Sequence, residues 1–189
     1  MTNVALRTLA ELDTQVSRLH ELFERPGEPP SVSRALREMR DETREPAFDG
    51  TILLLASIDP PAAVGPGSFH HDLLLELGLT PAIDAAHPLA GPWIELDAED
   101  VRRLSPDGII FLLPGTPTVP ELGVLGRLGL PALEAGRAGV VSDPLALLPS
   151  TALGDVARRM AAIVQSWEAA AAPTTSKPAM TEPTDRDQP

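Results

Sequence analysis

Four side chains able to do chemistry fall within five residues of the stretch "GPGSFHHDLLLELG": Ser68, His70, His71 and Asp72. Serine beside histidine and aspartate suggests a nucleophile with its base, and two histidines with a carboxylate suggest a metal. Helical spacing argues against both. Adjacent residues on a helix point about 100° apart, so His70 and His71 do not share one ion. Zinc held from a single helix takes ligands at i and i+4, a spacing that these residues lack. Ser68 stands just before an apolar helical run, where its hydroxyl is best used as the N-cap. Asp72 lies one turn inside that helix, where the macrodipole favours a carboxylate. The stretch therefore predicts a capped helix, with no catalytic residue and no metal ligand.

Other chemical signatures are missing as well. The chain has no cysteine, which removes disulfides, thiolate catalysis and Cys-ligated metals. No G-x-x-x-x-G-K-S/T phosphate loop and no G-x-S-x-G elbow occurs. "GPGSFH" lacks the third glycine of a dinucleotide fingerprint, and Pro66 removes one of its amides. No cofactor is expected, and the sequence reads as a binding protein, not an enzyme.

The elements that must position these residues follow from composition and pattern. With 189 residues and 43% hydrophobic content, the chain can bury one core. Only two Trp and four Phe occur and no Tyr, so that core is aliphatic and stacking on nucleobases is disfavoured. A formal charge of −12 makes phosphate backbones and anionic membranes poor partners. The first fifteen residues lack a basic start, a continuous apolar core and a cleavage site, so they do not read as a signal peptide. Taken with Met1 as the start, the chain is expected in the cytoplasm.

Residues 4–24 predict a helix whose stripe is Leu9, Leu12, Val16, Leu19 and Phe23. "RPGEPPS" ends it, and Ser31 or Ser33 caps a charged second helix over 33–45. From Pro46 the character changes. "GTILLLAS" (50–57), "PDGIIFLLPG" (106–115) and "AGVVSDP" (138–144) are short apolar runs bounded by turn formers, hence strands buried on both faces. "PAID" (81–84) and "PWIEL" (92–96) predict two shorter strands. Between them lie helices over 68–77, from Asp97 to Leu104, near 120–128 and 131–136, and over 152–170. The last has Leu153, Val156, Met160, Ile163, Val164 and Trp167 on one face. Asp97 with Asp100 makes a capping-box-like start. Everything after Ala172 is polar and proline-rich and predicts a disordered tail.

Alternating strands and helices predict an α/β fold: three layers, with a mostly parallel sheet flanked by helices and preceded by an N-terminal helix. Loops leaving the C-terminal ends of such strands form the ligand-facing edge. Here they are Ser57–Gly67, Pro114–Pro120 and Ser142–Pro149, all rich in Pro, Gly, Ser and Thr.

The order "ILLLASIDPPAAVGPGSFHHDLLLELGLTPAID", "GPWIELDAEDVRRLSPDGIIFLLPG", "GVVSDPLALLPSTALGDVARRMAAIV" resembles the C-terminal lobe of substrate-binding proteins of ABC importers. The group it resembles binds vitamin B12 and ferric siderophores (class III periplasmic binding proteins), and the resemblance covers about residues 48–166. It implies a single lobe over 47–172 and, in 1–46, a segment similar to the helix that joins the two lobes of that family. It implies transport of a corrinoid or iron-siderophore-like metal chelate, an ABC permease as partner, and a periplasmic or cell-envelope location. The ligand-facing positions carried over are Asp59, Pro60, Pro61, Ala63, Gly65, Gly67 and Ser68 in the first loop. Trp93 follows on the short strand, with Gly115 and Thr116 after the second long strand, and Ser142 and Asp143 after the third. Asp72 matches the acidic residue that meets the permease. The match lies in the second lobe alone, so the resemblance implies an apparently truncated protein: a fragment of a longer reading frame, a partner of a separately encoded first lobe, or a lobe retired to another task. The alternative is a stand-alone, non-catalytic α/β interaction module that dimerises through its N-terminal helix.

Overall fold

The structure, a computed structural model, describes residues 7–23, 27, 31–42, 48–115 and 122–171. Two helices lead, α1 (Leu9–Leu22) and α2 (Val32–Glu42), followed by β1 (Thr51–Ile58), β2 (Pro61–Ala63), α3 (Phe69–Glu76), β3 (Thr80–Pro81) and β4 (Ile94–Glu95). Then come α4 (Ala98–Leu104), β5 (Gly108–Leu112), a 3-10 turn (Leu125–Arg127), α5 (Pro131–Glu134), β6 (Ala138–Val141) and α6 (Leu153–Ala171).

The sheet runs β4-β2-β1-β5-β6, with β3 paired to the start of β1. The pairs β1–β5, β5–β6 and β1–β3 are parallel, and β1–β2 and β2–β4 are antiparallel. The continuous apolar runs behave as predicted. Ile52 and Leu54 of β1, with Ile110 and Leu112 of β5, face a core built with α1, α2, α3 and α6. Leu53, Leu55, Ile109 and Phe111 face a second core that contains Val101 of α4 and Ala132 of α5. Burial on both faces is the arrangement that unbroken aliphatic strands require. Within the described residues the molecule is thus the expected three-layer α/β fold.

Three expectations need correction. The stretch 57–67 is not an open loop, because Pro61–Ala63 turns back as β2 and pairs antiparallel with the end of β1. Proline fits at the first residue of a strand, where its missing N–H disturbs the ladder least. The first helix begins at Leu9, where Thr8 and Glu11 form a reciprocal capping box. Its stripe is covered only in part: Leu9 and Leu12 are buried and Val16 packs against the core, whereas Leu19 and Phe23 are exposed. The helix near 120–128 is a single 3-10 turn over its described portion. The predicted tail lies outside the described residues.

The capping predictions hold. Ser31 caps α2 by accepting from the Arg34 amide. Asp13 of α1 adds a second cap, accepting from Ser31 Oγ and from the Val32 and Ser33 amides at 2.7–3.2 Å. Burial raises the Asp13 carboxyl, but these donors outweigh it and hold the group below the usual range. Asp97 and Asp100 form the box that starts α4. All six residues of the α6 face pack into the core, with Ile163 only half-buried. Among the described residues no helix is long and apolar enough to cross a membrane.

Candidate functional site

The start of α3 is built as a turn that closes on itself. Ser68 Oγ accepts from the His71 amide at 3.2 Å and donates to the Gly65 carbonyl at 2.7 Å. The hydroxyl is 7% exposed and both of its roles are taken by backbone. Its proton therefore goes to a carbonyl and not to a histidine, which leaves no nucleophile–base pair.

His70 is 3% exposed, and its Nε2 lies 2.6 Å from the Ala146 carbonyl, across 76 residues of sequence. A carbonyl only accepts, so Nε2 carries the proton. Burial pushes this imidazole from 6.5 down to about 4, against the opposing effect of the bond to Ala146, so the ring is neutral at pH 7. His71 is also buried and its Nε2 has no partner among the described residues. Burial lowers its pKa, and nearby Asp72 acts in the opposite sense. The two rings thus have separate environments, as their spacing predicts, and among the described residues no three His, Asp or Glu side chains converge on a metal position.

His70 anchors the loop after β6 to α3. Arg159 of α6 secures the start of that loop, donating to the Ser142 carbonyl at 2.6 Å and lying 3.5 Å from the Asp143 carboxylate. Asp143 Oδ1 also accepts from the Leu145 amide and shapes the turn. Between this loop, the start of α3 and the segment before β4 lies a cavity of about 190 Å3. Val64, Gly67, Ser68, Phe69 and His70 line it from one chain segment, Pro92 and Trp93 from a second, Leu147 from a third, and Arg7 from ahead of α1. Trp93 is 54% exposed and its indole forms an open wall. The lining is mostly apolar, with one cation at the edge.

Of the positions expected to face a ligand, the structure brings Gly67, Ser68 and Trp93 to this one cavity. Asp59 and Pro60 are exposed at the tip of the β1–β2 hairpin, and Gly115 is exposed in the turn beyond β5. Ser142 and Asp143 are half-buried at the start of the anchored loop and are not among the residues lining the cavity. Pro61 and Ala63 are buried in β2, and Ala63 belongs to the second core, behind the rim. Gly65 is buried too. A methyl group there would sit 2.9 Å from both the Gly91 carbonyl and the Ile94 side chain, so a close approach explains that glycine. Thr116 lies outside the described residues. Asp72 is half-buried, and its Oδ2 accepts from the Leu9 amide at 3.1 Å, an unpaired donor of the α1 start.

Sequence reasoning missed Arg7, Phe69 and Pro92 as wall residues, covered Val64 and Leu147 only as members of loops expected at the ligand-facing edge, and did not foresee the bond that seats His70. For Phe69 and Pro92 the signal was adjacency to Ser68 and to Trp93. Arg7 reaches the cavity through tertiary folding alone.

No protein-family model matches the sequence, and no curated protein is significantly similar to it. Solved structures are similar in fold. A possible iron-binding, periplasmic solute-binding protein of Staphylococcus epidermidis superposes with a TM-score of 0.65 at 12% identity, over 85% of this chain and 64% of the other. The periplasmic vitamin B12-binding protein of Vibrio cholerae gives 0.59 at 12% identity, over 87% and 64%. An ABC-type Fe3+-hydroxamate transport protein of Saccharomonospora viridis gives 0.62 at 18% identity, over 86% and 58%. The chain thus spans less than two thirds of each of these proteins. The likeness at such identities is one of fold, and the fold is the one the sequence resemblance implied.

Proposed function

We propose that this chain is the substrate-binding lobe of an ABC importer, with a corrinoid or an iron-siderophore-like metal chelate as its ligand. The observation that carries the reading is the cavity at the start of α3. There Gly67, Ser68 and Trp93, singled out by the resemblance, meet on a fold shared with periplasmic binding proteins. The exposed Trp93 indole offers a flat apolar face, and Phe69 and Leu147 widen it. A volume of about 190 Å3 accommodates one edge or ring of a chelate and not the whole. Small-molecule sites generally enclose most of their ligand in roughly 300–1,000 Å3. A second lobe is the natural source of the rest of that enclosure. Asp59, Pro60, Gly115, Ser142 and Asp143, which follow the ends of β1, β5 and β6, form the outer rim against which such a lobe closes. Asp72, held in place by the Leu9 amide, is the acidic contact for a permease. The place of action is the cell envelope. The function is retention of a ligand, with no bond made or broken.

Calorimetric titration with cobalamin, a ferric hydroxamate and a ferric catecholate tests this, with the chain alone and with a first lobe supplied. Saturable binding of one of them is expected, and Trp93→Ala should abolish it. An absence of heat with all three in both arrangements would overturn the proposal.

A further inference from the structure

The opposite end of the sheet, where β1, β5 and β6 begin, carries a second and larger hollow of about 420 Å3. Its walls are aromatic and its rim is charged: Phe48 and Trp167, with Asp49, Asp107, Arg137 and Glu168. The aromatic corner depends on two glycines. A methyl group at Gly108 would lie 2.6 Å from the Trp167 ring, and one at Gly50 would lie 2.8 Å from the Phe48 ring. With glycine at both strand entrances the rings settle on bare backbone and meet edge to face, centroids 5.6 Å apart. The volume falls within the roughly 300–1,000 Å3 typical of small-molecule sites.

The charge in this hollow is unbalanced. Three carboxylates face one guanidinium, and Arg137 stands over the Phe48 ring, 5.6 Å from its centroid. Asp107 is engaged, accepting from the Thr51 amide and hydroxyl. Glu168 is not: its Oε1 is closed off from solvent and has no hydrogen-bond partner among the described residues. Since no three acidic or histidine side chains among the described residues converge on one point, the negative charge is spread along the wall. That distribution suits an elongated cation better than a metal ion.

We propose that this hollow binds a small linear diammonium compound. One ammonium pairs with the half-buried Glu168 carboxylate, the methylene chain lies along Phe48 and Trp167, and the second ammonium faces Asp49. Aromatic faces favour such cations, and apolar stems pack well on them. The site is separate from the proposed chelate cavity, with which it shares no lining residue.

The test uses 1,4-diaminobutane as probe and the fluorescence of Trp167, isolated by Trp93→Phe because the chain has only two tryptophans. A saturable change is expected, and it should weaken about tenfold or more in Glu168→Gln, the loss of one charge-assisted bond. Asp49→Asn, at an exposed position, should weaken it as well and guards against a folding defect in the first variant. The proposal is overturned if no saturable response occurs at millimolar probe. It is equally overturned if sodium chloride at matched ionic strength reproduces the response, or if both variants bind like the parent. None of these outcomes bears on chelate binding, which is measured without the diamine.

Discussion

Replacing His70 with Gln should flatten the acid limb of the stability curve. In the folded protein burial holds this imidazole at about 4, whereas in the unfolded chain it returns to 6.5. Above pH 6.5 the ring is neutral in both states and costs nothing. As the pH falls below 6.5 the unfolded chain takes up a proton that the folded protein refuses, so stability declines until the folded group also titrates near pH 4. The interval from 6.5 to about 4, at about 1.4 kcal/mol per pH unit, amounts to about 3 kcal/mol. A glutamine amide still has an N–H to donate to the Ala146 carbonyl but does not titrate. Urea unfolding at a series of pH values, for parent and variant, reads the difference directly. His71, also lowered by burial, contributes equally to both proteins and cancels. The parent should lose about 3 kcal/mol more than the variant between pH 7 and pH 4. Parallel curves would refute the reasoning, as would an imidazole resonance for His70 that titrates near 6.5 in the folded protein.

Two further substitutions probe the frame around the sites. Gly108→Ala drives a methyl group into the Trp167 ring at 2.6 Å, so thermal unfolding should report a loss of about 1–3 kcal/mol. Asp13→Ala removes the carboxylate that accepts from Ser31, Val32 and Ser33, at an expected cost of about 1–2 kcal/mol. The Asp13 carboxyl is held low in the fold, so its contribution is present above the unfolded carboxyl pKa and fades as pH falls through the folded one. The Asp13→Ala deficit should therefore shrink in acid, which denaturant titrations at neutral and acid pH check.

What the sequence made legible was whatever one segment decides for itself. The runs around Ile52–Leu55 and Ile109–Leu112 could only be strands buried on both faces, and Ser68, Ser31 and Asp97 announced their caps by position. β2 was hidden because its residues, Pro-Ala-Ala, carry no alternation and owe their extended form to pairing with β1 and β4. The outer half of the α1 stripe misled for a related reason. Apolar spacing places Leu19 and Phe23 on a face, but only the packed neighbours decide where cover ends. Gly67, Ser68 and Trp93, which line one cavity, were named through the family resemblance and not by the chemistry of any one segment. The sequence offers His70 only as a catalytic or metal-ligating candidate, while its partner, the Ala146 carbonyl, is fixed by the return of the chain from β6. Arg7 was invisible for the same reason.

The claim on which the function rests is that the pocket beside Trp93 receives a metal chelate. Amide and indole chemical-shift mapping during titration with cobalamin, or with the diamagnetic gallium counterpart of a ferric hydroxamate, tests it most directly. The account predicts that the Trp93 indole and the backbone of Gly67 to His70 move first and saturate together, with Leu147 following. Shifts confined to other parts of the sheet, or no saturable shift with any chelate, would contradict it.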